Sequence, residues 1–270
     1  MKRQAGPSMR VFASLLAASL ALIAPAEAAP RRVASLNLCT DELVMAIAAP
    51  GQLVSVTHLA QDPAETPLWQ VARRYRRNDG SLLSVASLRP DLVVTMGGGA
   101  RDRLRIAQRL GIRTIDLPFA QSLDDLEGSI SLLADALGRP QAGAALLRRL
   151  RGLRASAPLQ QVDTIWLGGG GRTVSAVGLE AQWMALAGFR QRSIQGDRVS
   201  LETLIARPPQ VLLRSDYRQG QYSAAQRWLT HPAAGRARGG RTIATDGRLW
   251  TCMGPTLIGE IERLRREMHP

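Results

Sequence analysis

The chain has 270 residues, with 35 lysines and arginines against 22 acids, a formal net charge of +13 and 4% aromatic residues. Its single lysine, Lys2, stands near the start, so the rest of the chain has no Walker lysine, Schiff-base lysine or lysine general base, which excludes P-loop nucleotidases and pyridoxal enzymes. Scattered arginines, few aromatics and no nucleic-acid motif argue against nucleic acid and leave an arginine-rich surface or an anionic ligand.

Lys2, Arg3 and Arg10 form a basic leader, Val11 to Ile23 an uncharged apolar core, and Ala26-Glu27-Ala28 a small-residue cleavage site before Ala29. This predicts a secretory signal peptide over residues 1–28, with an apolar core short for a membrane span and no cysteine for a lipid anchor. Its removal leaves a net charge of +11 and a chain exported to the periplasm, long enough for two lobes of about 100 residues each.

Val33 to Leu36 reads as the first strand. Thr40 is placed to cap a helix whose first turn holds Asp41 and Glu42, where carboxylates suit the helix dipole. Pro50-Gly51 stops that helix, and Leu53 to Val56 is the second strand. A polar loop over residues 57–67 carries His58, and Arg73 to Arg77 reads as a solvated basic face. Ser81 caps a short helix that ends before Pro90. Leu92-Val93-Val94 is too short for a helix and fits a buried strand. Gly97-Gly98-Gly99 follows, then a helix to Leu110 and a strand from Ile112 to Leu117. Ser122-x-x-Asp125 resembles a capping box. The helix it opens breaks at Gly138-Arg139-Pro140, and the next, over about residues 141–154, reads as a linker. The second half repeats this grammar: strand Val162–Leu167, glycine loop Gly168–Gly171, helix from Leu179, capped helix after Ser200, strands from Val211 and Arg241, and a final helix from about Thr256. The expected organisation is a leader over 1–28, a first lobe over 29–137, a linker helix over 138–158 and a second lobe over 159–270. The fold class is α/β, two three-layer lobes with mainly parallel sheets joined by one long linker helix.

Neither glycine loop completes a dinucleotide fingerprint: Asp102 and Thr173 stand where the last glycine belongs. Two such loops in matching places of two lobes point instead to a shared cleft. No G-x-S-x-G elbow and no H-E-x-x-H or cysteine-pair zinc spacing occurs. The histidines are His58, His231 and His269, of which only His58 lies at the carboxyl end of a predicted strand. A bare metal ion finds no obvious ligand set in these histidines and the two cysteines. Cys39 and Cys252, an even pair in an exported chain, leave three readings open: a disulfide, two thiols, or a shared contact to a ligand or metal. Phe119, Trp166, Tyr217 and Trp250 fall at or near strand ends and suit a flat or bulky ligand as well as a core.

The order of Arg32-Val33-Ala34-Ser35-Leu36, Thr40-Asp41-Glu42-Leu43, Leu88-Arg89-Pro90-Asp91-Leu92-Val93-Val94, Leu110-Gly111-Ile112-Arg113-Thr114, Ser122-Leu123-Asp124-Asp125-Leu126 and Ser200-Leu201-Glu202 resembles the periplasmic substrate-binding proteins of ABC importers, of the iron-siderophore and cobalamin type. The resemblance implies a monomeric receptor, not an enzyme, that binds a metal chelate between its lobes and delivers it to a permease dimer at the inner membrane. Any iron or cobalt would arrive in the ligand, with no resident cofactor. By position it implies a cleft of Asn37, Cys39, Thr40, His58, Met96, Gly97, Gly98, Phe119, Trp166, Gly168, Tyr217, Trp250 and Cys252. Glu202 matches the second-lobe acid that meets permease arginines. Leu83 stands at the matching first-lobe place, with Asp79 as a substitute acid. Met96, where cobalamin binders tend to carry tryptophan, departs from their pattern. A cobalamin or haem receptor is the alternative of the same fold, and a secreted redox enzyme or hydrolase using Cys39 and Cys252 the alternative of another class.

Overall fold

The computed structural model describes residues 29–98, 101–216 and 240–268. The first lobe runs through β1 (Val33–Ser35), α1 (Leu38–Ile47), β2 (Leu53–Thr57), α2 (Trp69–Ala72), β3 (Arg76–Asn78), α3 (Leu82–Ala86), β4 (Leu92–Met96), α4 (Arg101–Arg109), β5 (Arg113–Leu117) and α5 (Leu123–Ala136). Then comes α6 (Pro140–Ala155). The second lobe holds β6 (Val162–Leu167), α7 (Leu179–Leu186), β7 (Phe189–Gln191), α8 (Leu201–Ala206), β8 (Val211–Asp216), β9 (Arg241–Asp246), α9 (Leu249–Cys252) and α10 (Leu257–Met268).

The first sheet has the order β3-β2-β1-β4-β5 and the second β7-β6-β8-β9, and every named pair is parallel. Parallel strands require crossovers, which the intervening helices supply. The central strands are accordingly apolar on both faces: Leu92, Val93 and Val94 of β4 are all buried. Winding reverses between β1 and β4 in the first sheet and between β6 and β8 in the second. Crevices at such reversals, outside the carboxyl ends of the strands, are where ligands settle in open α/β sheets.

Three short elements depart from the sequence reading. Part of the basic run at Arg73 to Arg77 is the edge strand β3, whose Asn78 turns inward and donates to Ser35 O and Ser55 Oγ. A second edge strand, β7, follows α7. The segment around Trp250 is the one-turn helix α9. The linker is α6, and it begins with Pro140 in its first turn, where a missing N–H costs nothing. Arg154 near its end bonds Asp124 and Glu127 of α5 at 2.7 and 2.6 Å, laying the two helices side by side. Arg265 of α10 holds the same end, donating to Leu153 O and Ser156 Oγ there and to Leu186 O of α7.

A main core cluster runs continuously from the first lobe into the second. Leu43, Val44 and Ile47 of α1 and Ile130 and Leu133 of α5 join Trp183 and Phe189 and the buried face of α10. The lobes therefore share apolar packing rather than merely touching.

Candidate functional site

Asn37 ends β1's loop with extended backbone, and its side-chain oxygen accepts from Cys39 N at 2.8 Å. Asn37, not Thr40, is thus the N-cap of α1, and the helix starts three residues earlier than the sequence reading has it. Thr40 sits inside the first turn and is completely buried. Its hydroxyl bonds Ser35 Oγ at 2.7 Å and Asn37 O at 2.9 Å. It braces the loop and has no surface to offer a ligand.

Starting α1 at Leu38 turns Asp41 and Glu42 inward, where they are buried. Thr57 donates to Asp41 through its N–H and its hydroxyl. Burial nevertheless outweighs these bonds and pushes the Asp41 carboxyl up to about 7. Burial likewise pushes Glu42 up to about 7. Glu42 reaches across the lobes: its Oε1 accepts from Thr66 at 3.1 Å and its Oε2 from Thr256 at 3.2 Å.

Cys39, beside these acids, is disulfide-bonded to Cys252 at the end of α9, with their Cα atoms 5.1 Å apart. The bond crosses between lobes. Two further contacts do the same: Arg248 donates to Pro63 O at 2.6 Å, and Leu123 N donates to Gln182 Oε1 at 2.8 Å.

A cavity of about 230 Å³ opens against this disulfide. The first lobe contributes Cys39 and Leu43 of α1, Met96 at the end of β4, residues 118–121 after β5, and Leu126 and Ser129 of α5. The second lobe contributes Leu179 and residues 251–254. The cavity thus draws on the first turn of α1, which follows β1, and on the last residue of β4, at the first sheet's reversal point. Among the described residues no charged side chain lines it.

Phe119 shapes its rim. Gly97 has φ 96°, and a Cβ there would lie 2.5 Å from the Phe119 ring, so only glycine lets the ring rest on this loop. Phe119 is still 59% exposed, leaving a free aromatic face beside the exposed Gly98. On the other side, Met253 adopts a left-handed conformation with φ 48°, uncommon for a side chain of its size. Its carbonyl accepts from the indole N–H of fully buried Trp183 at 2.9 Å, a bond that holds the turn carrying Cys252 and Met253 to the cavity.

Of the residues singled out in sequence, Cys39, Met96, Phe119 and Cys252 meet at this cavity, with Gly97 beneath the Phe119 ring. Trp250 does not reach it. It is 6% exposed, its indole N–H donates to Thr245 Oγ1 at 2.9 Å, and its ring meets Trp166 edge-on at 6.2 Å. Gly168 is buried under the Trp166 ring, which a Cβ would strike at 2.5 Å. Trp166 packs on the main core from a half-buried position. His58 is exposed at the end of β2 and begins a short 3-10 turn away from the cavity lining. Tyr217 lies outside the described residues. Sequence reasoning missed Leu43, Leu126, Ser129 and Leu179. Each falls on an apolar or small helical position that reads as ordinary core, and only the packing of two lobes brings them together. Among the described residues no cluster of histidine, cysteine and acid side chains is arranged to hold a metal ion, and no helix is long and apolar enough to cross a membrane.

Several solved structures share this architecture. A periplasmic haem-binding protein from Pseudomonas aeruginosa is 23% identical, with a TM-score of 0.63 over 89% of this chain and 93% of that one. The periplasmic haem-binding protein of Vibrio cholerae is 18% identical, with a TM-score of 0.67 over 88% and 99%. The periplasmic vitamin B12-binding protein of Vibrio cholerae is 19% identical, with a TM-score of 0.59 over 88% and 96%. No curated protein matches the chain in sequence. The sequence model of the periplasmic binding proteins matches residues 33–238. That match spans most of the chain, which therefore belongs to the periplasmic binding proteins.

Proposed function

We propose that this protein is the periplasmic receptor of an ABC importer, exported by its leader, that binds a metal chelate such as a ferric siderophore between its lobes and delivers it to the permease. The observation that carries this reading is the apolar inter-lobe cavity at the reversal point of the first sheet, rimmed by the exposed faces of Phe119 and the Gly97-Gly98 loop. Apolar walls with a few polar groups are the ordinary make-up of a small-molecule site. The reading takes the protein to be a monomer with no cofactor of its own, and places any iron or cobalt in the ligand. Arginines elsewhere on the surface would draw in an anionic chelate by long-range attraction.

A cobalamin or haem receptor is the second reading, favoured by the three neighbours named above. Absorption titrations with haemin, cyanocobalamin and a ferric hydroxamate separate these ligands by their spectra. In the same titrations Met96→Ala is expected to raise the Kd of the bound chelate about 5–30-fold, the loss of one buried side chain. An unchanged Kd would remove this loop from the site. A redox enzyme using Cys39 and Cys252 is the reading of another class. It predicts that exchanging both cysteines for serine abolishes function, whereas a receptor retains binding.

We propose a permease-facing side as well. Helices α3 and α8 start alike, with Ser81 Oγ accepting from Ser84 N and Ser200 Oγ from Thr203 N, each at 3.2 Å. Leu83 and Glu202 hold the same second position of these helices, and Leu83 is 85% exposed. Asp79, just before the first cap, accepts from Ser81 N at 2.8 Å, and its bonds to Ser81 pull its carboxyl down to about 2. A bond from Ser200 lowers Glu202 too. Both acids are therefore ionised at neutral pH and available to permease arginines. Charge reversal by Asp79→Arg or Glu202→Arg should cut uptake by the importer in proteoliposomes about tenfold or more while leaving ligand Kd unchanged. Normal uptake by both variants would move docking elsewhere.

A further inference from the structure

Ser129 of α5 is 4% exposed and lines the inter-lobe cavity, and its hydroxyl reaches no hydrogen-bond partner among the described residues. A buried serine in a helix ordinarily satisfies itself on the carbonyl one turn back. Ser129 does not, so its hydroxyl is a net cost to the folded chain. Its surroundings leave it alone in its chemistry. Leu43, Leu126 and Leu179 are buried apolar neighbours of the same cavity. Gln121 and Thr251, the other lining residues with polar side chains, are exposed and belong to the mouth.

We propose that Ser129 is a specificity-determining residue of the ligand site. It hydrogen-bonds one neutral polar atom, an amide, hydroxamate or hydroxyl oxygen, carried on an otherwise apolar arm of the chelate. A carboxylate on that arm is rejected, because a charge buried there would find a single hydroxyl and no cation. The ligand class is thus a chelate whose inserted face is uncharged. The inference rests on the inter-lobe cavity being the ligand site of the receptor proposed above.

Calorimetric titrations of the wild type, Ser129→Ala and Ser129→Leu with cyanocobalamin, a ferric trihydroxamate and haemin test it, together with melts of each ligand-free protein. The wild type should bind a neutral chelate more tightly than haemin. Ser129→Ala should raise the Kd of that chelate about 3–10-fold, the loss of one neutral hydrogen bond. Ser129→Leu, which fills the cavity, should raise it about 10–100-fold. The ligand-free alanine variant should melt at or above the wild type, since an unpaired buried hydroxyl is gone. Equal Kd values for wild type and Ser129→Ala overturn the role of Ser129 while leaving the receptor reading intact. Tighter binding of haemin overturns the ligand class, and a clearly lower melting point for Ser129→Ala overturns the claim that the hydroxyl serves the ligand rather than the fold. Binding of none of the three by the wild type overturns the receptor reading itself, and this inference with it.

Discussion

Replacing both Cys39 and Cys252 by serine is expected to cost about 2–5 kcal/mol of stability and to lower the melting temperature by about 5–15 °C. The two cysteines are 213 residues apart, so their bond closes almost the whole described chain into one loop and removes much of the freedom of the unfolded state. The loss stays below the full loop-closure value if the unfolded chain is compact. The folded lobes, meanwhile, remain packed through the shared core, the Glu42–Thr256 and Arg248–Pro63 bonds, and the α5–α7 contact at Gln182. Calorimetry of the wild type, the reduced wild type and the double variant checks this, with the last two melting together. Identical melts for all three would mean that noncovalent packing alone joins the lobes. With so many ties, ligand binding should compact the wild type only slightly in small-angle scattering, and a large compaction would contradict the picture.

The protein is also expected to lose stability as pH rises from about 4 to about 8. Asp41 and Glu42 have folded pKa values of about 7, against ordinary carboxyl values near 4 in the unfolded chain. Below the unfolded value both states hold the protons and nothing is lost. As pH rises, the unfolded chain ionises first and is favoured. The penalty grows until the buried carboxyls themselves ionise near 7, and then levels off. A fall in melting temperature of about 5 °C or more between pH 5 and pH 8 is the expected size. Glu42→Gln should flatten part of this slope, and Glu42→Gln with Asp41→Asn most of it. A wild-type melting temperature that is flat or rises over this range would place the carboxylates in a less buried setting.

Much of the fold was legible because it rests on signals that read locally. Pro90 followed by Leu92-Val93-Val94, the serines at 81, 122 and 200, and the break at Gly138 to Pro140 each mark an element end for a reason within a few residues. The edge strands β3 and β7 were not, since three residues such as Arg76-Arg77-Asn78 are too few to show a period. Burial of polar groups was the larger blind spot. Asp41 and Glu42 look like surface residues of a first turn, and only the shift of the cap from Thr40 to Asn37 points them inward. Strand-end position picked out Cys39, Met96, Phe119 and Cys252, which the structure brings to one cavity. The same rule offered Trp250, which position alone cannot distinguish from a ligand-facing aromatic. Ser129 and Leu179 were invisible because they become neighbours only across the lobe boundary.

The chain passes between the two sheets at α6, and the Cys39–Cys252 bond joins the lobes a second time. Two pins alone would leave one rotation, about the line through them, and the shared core with the Glu42–Thr256, Arg248–Pro63 and Leu123–Gln182 bonds opposes that rotation as well. Arg265 and Arg154 both fasten the carboxyl end of α6, the first to the second lobe and the second to α5, so the linker is a bracket held firmly where the second lobe begins. The cavity borders one pin and lies close to that axis, where a door's edge hardly travels. On the receptor reading proposed above, loading is therefore expected to leave the volume around the ligand nearly unchanged.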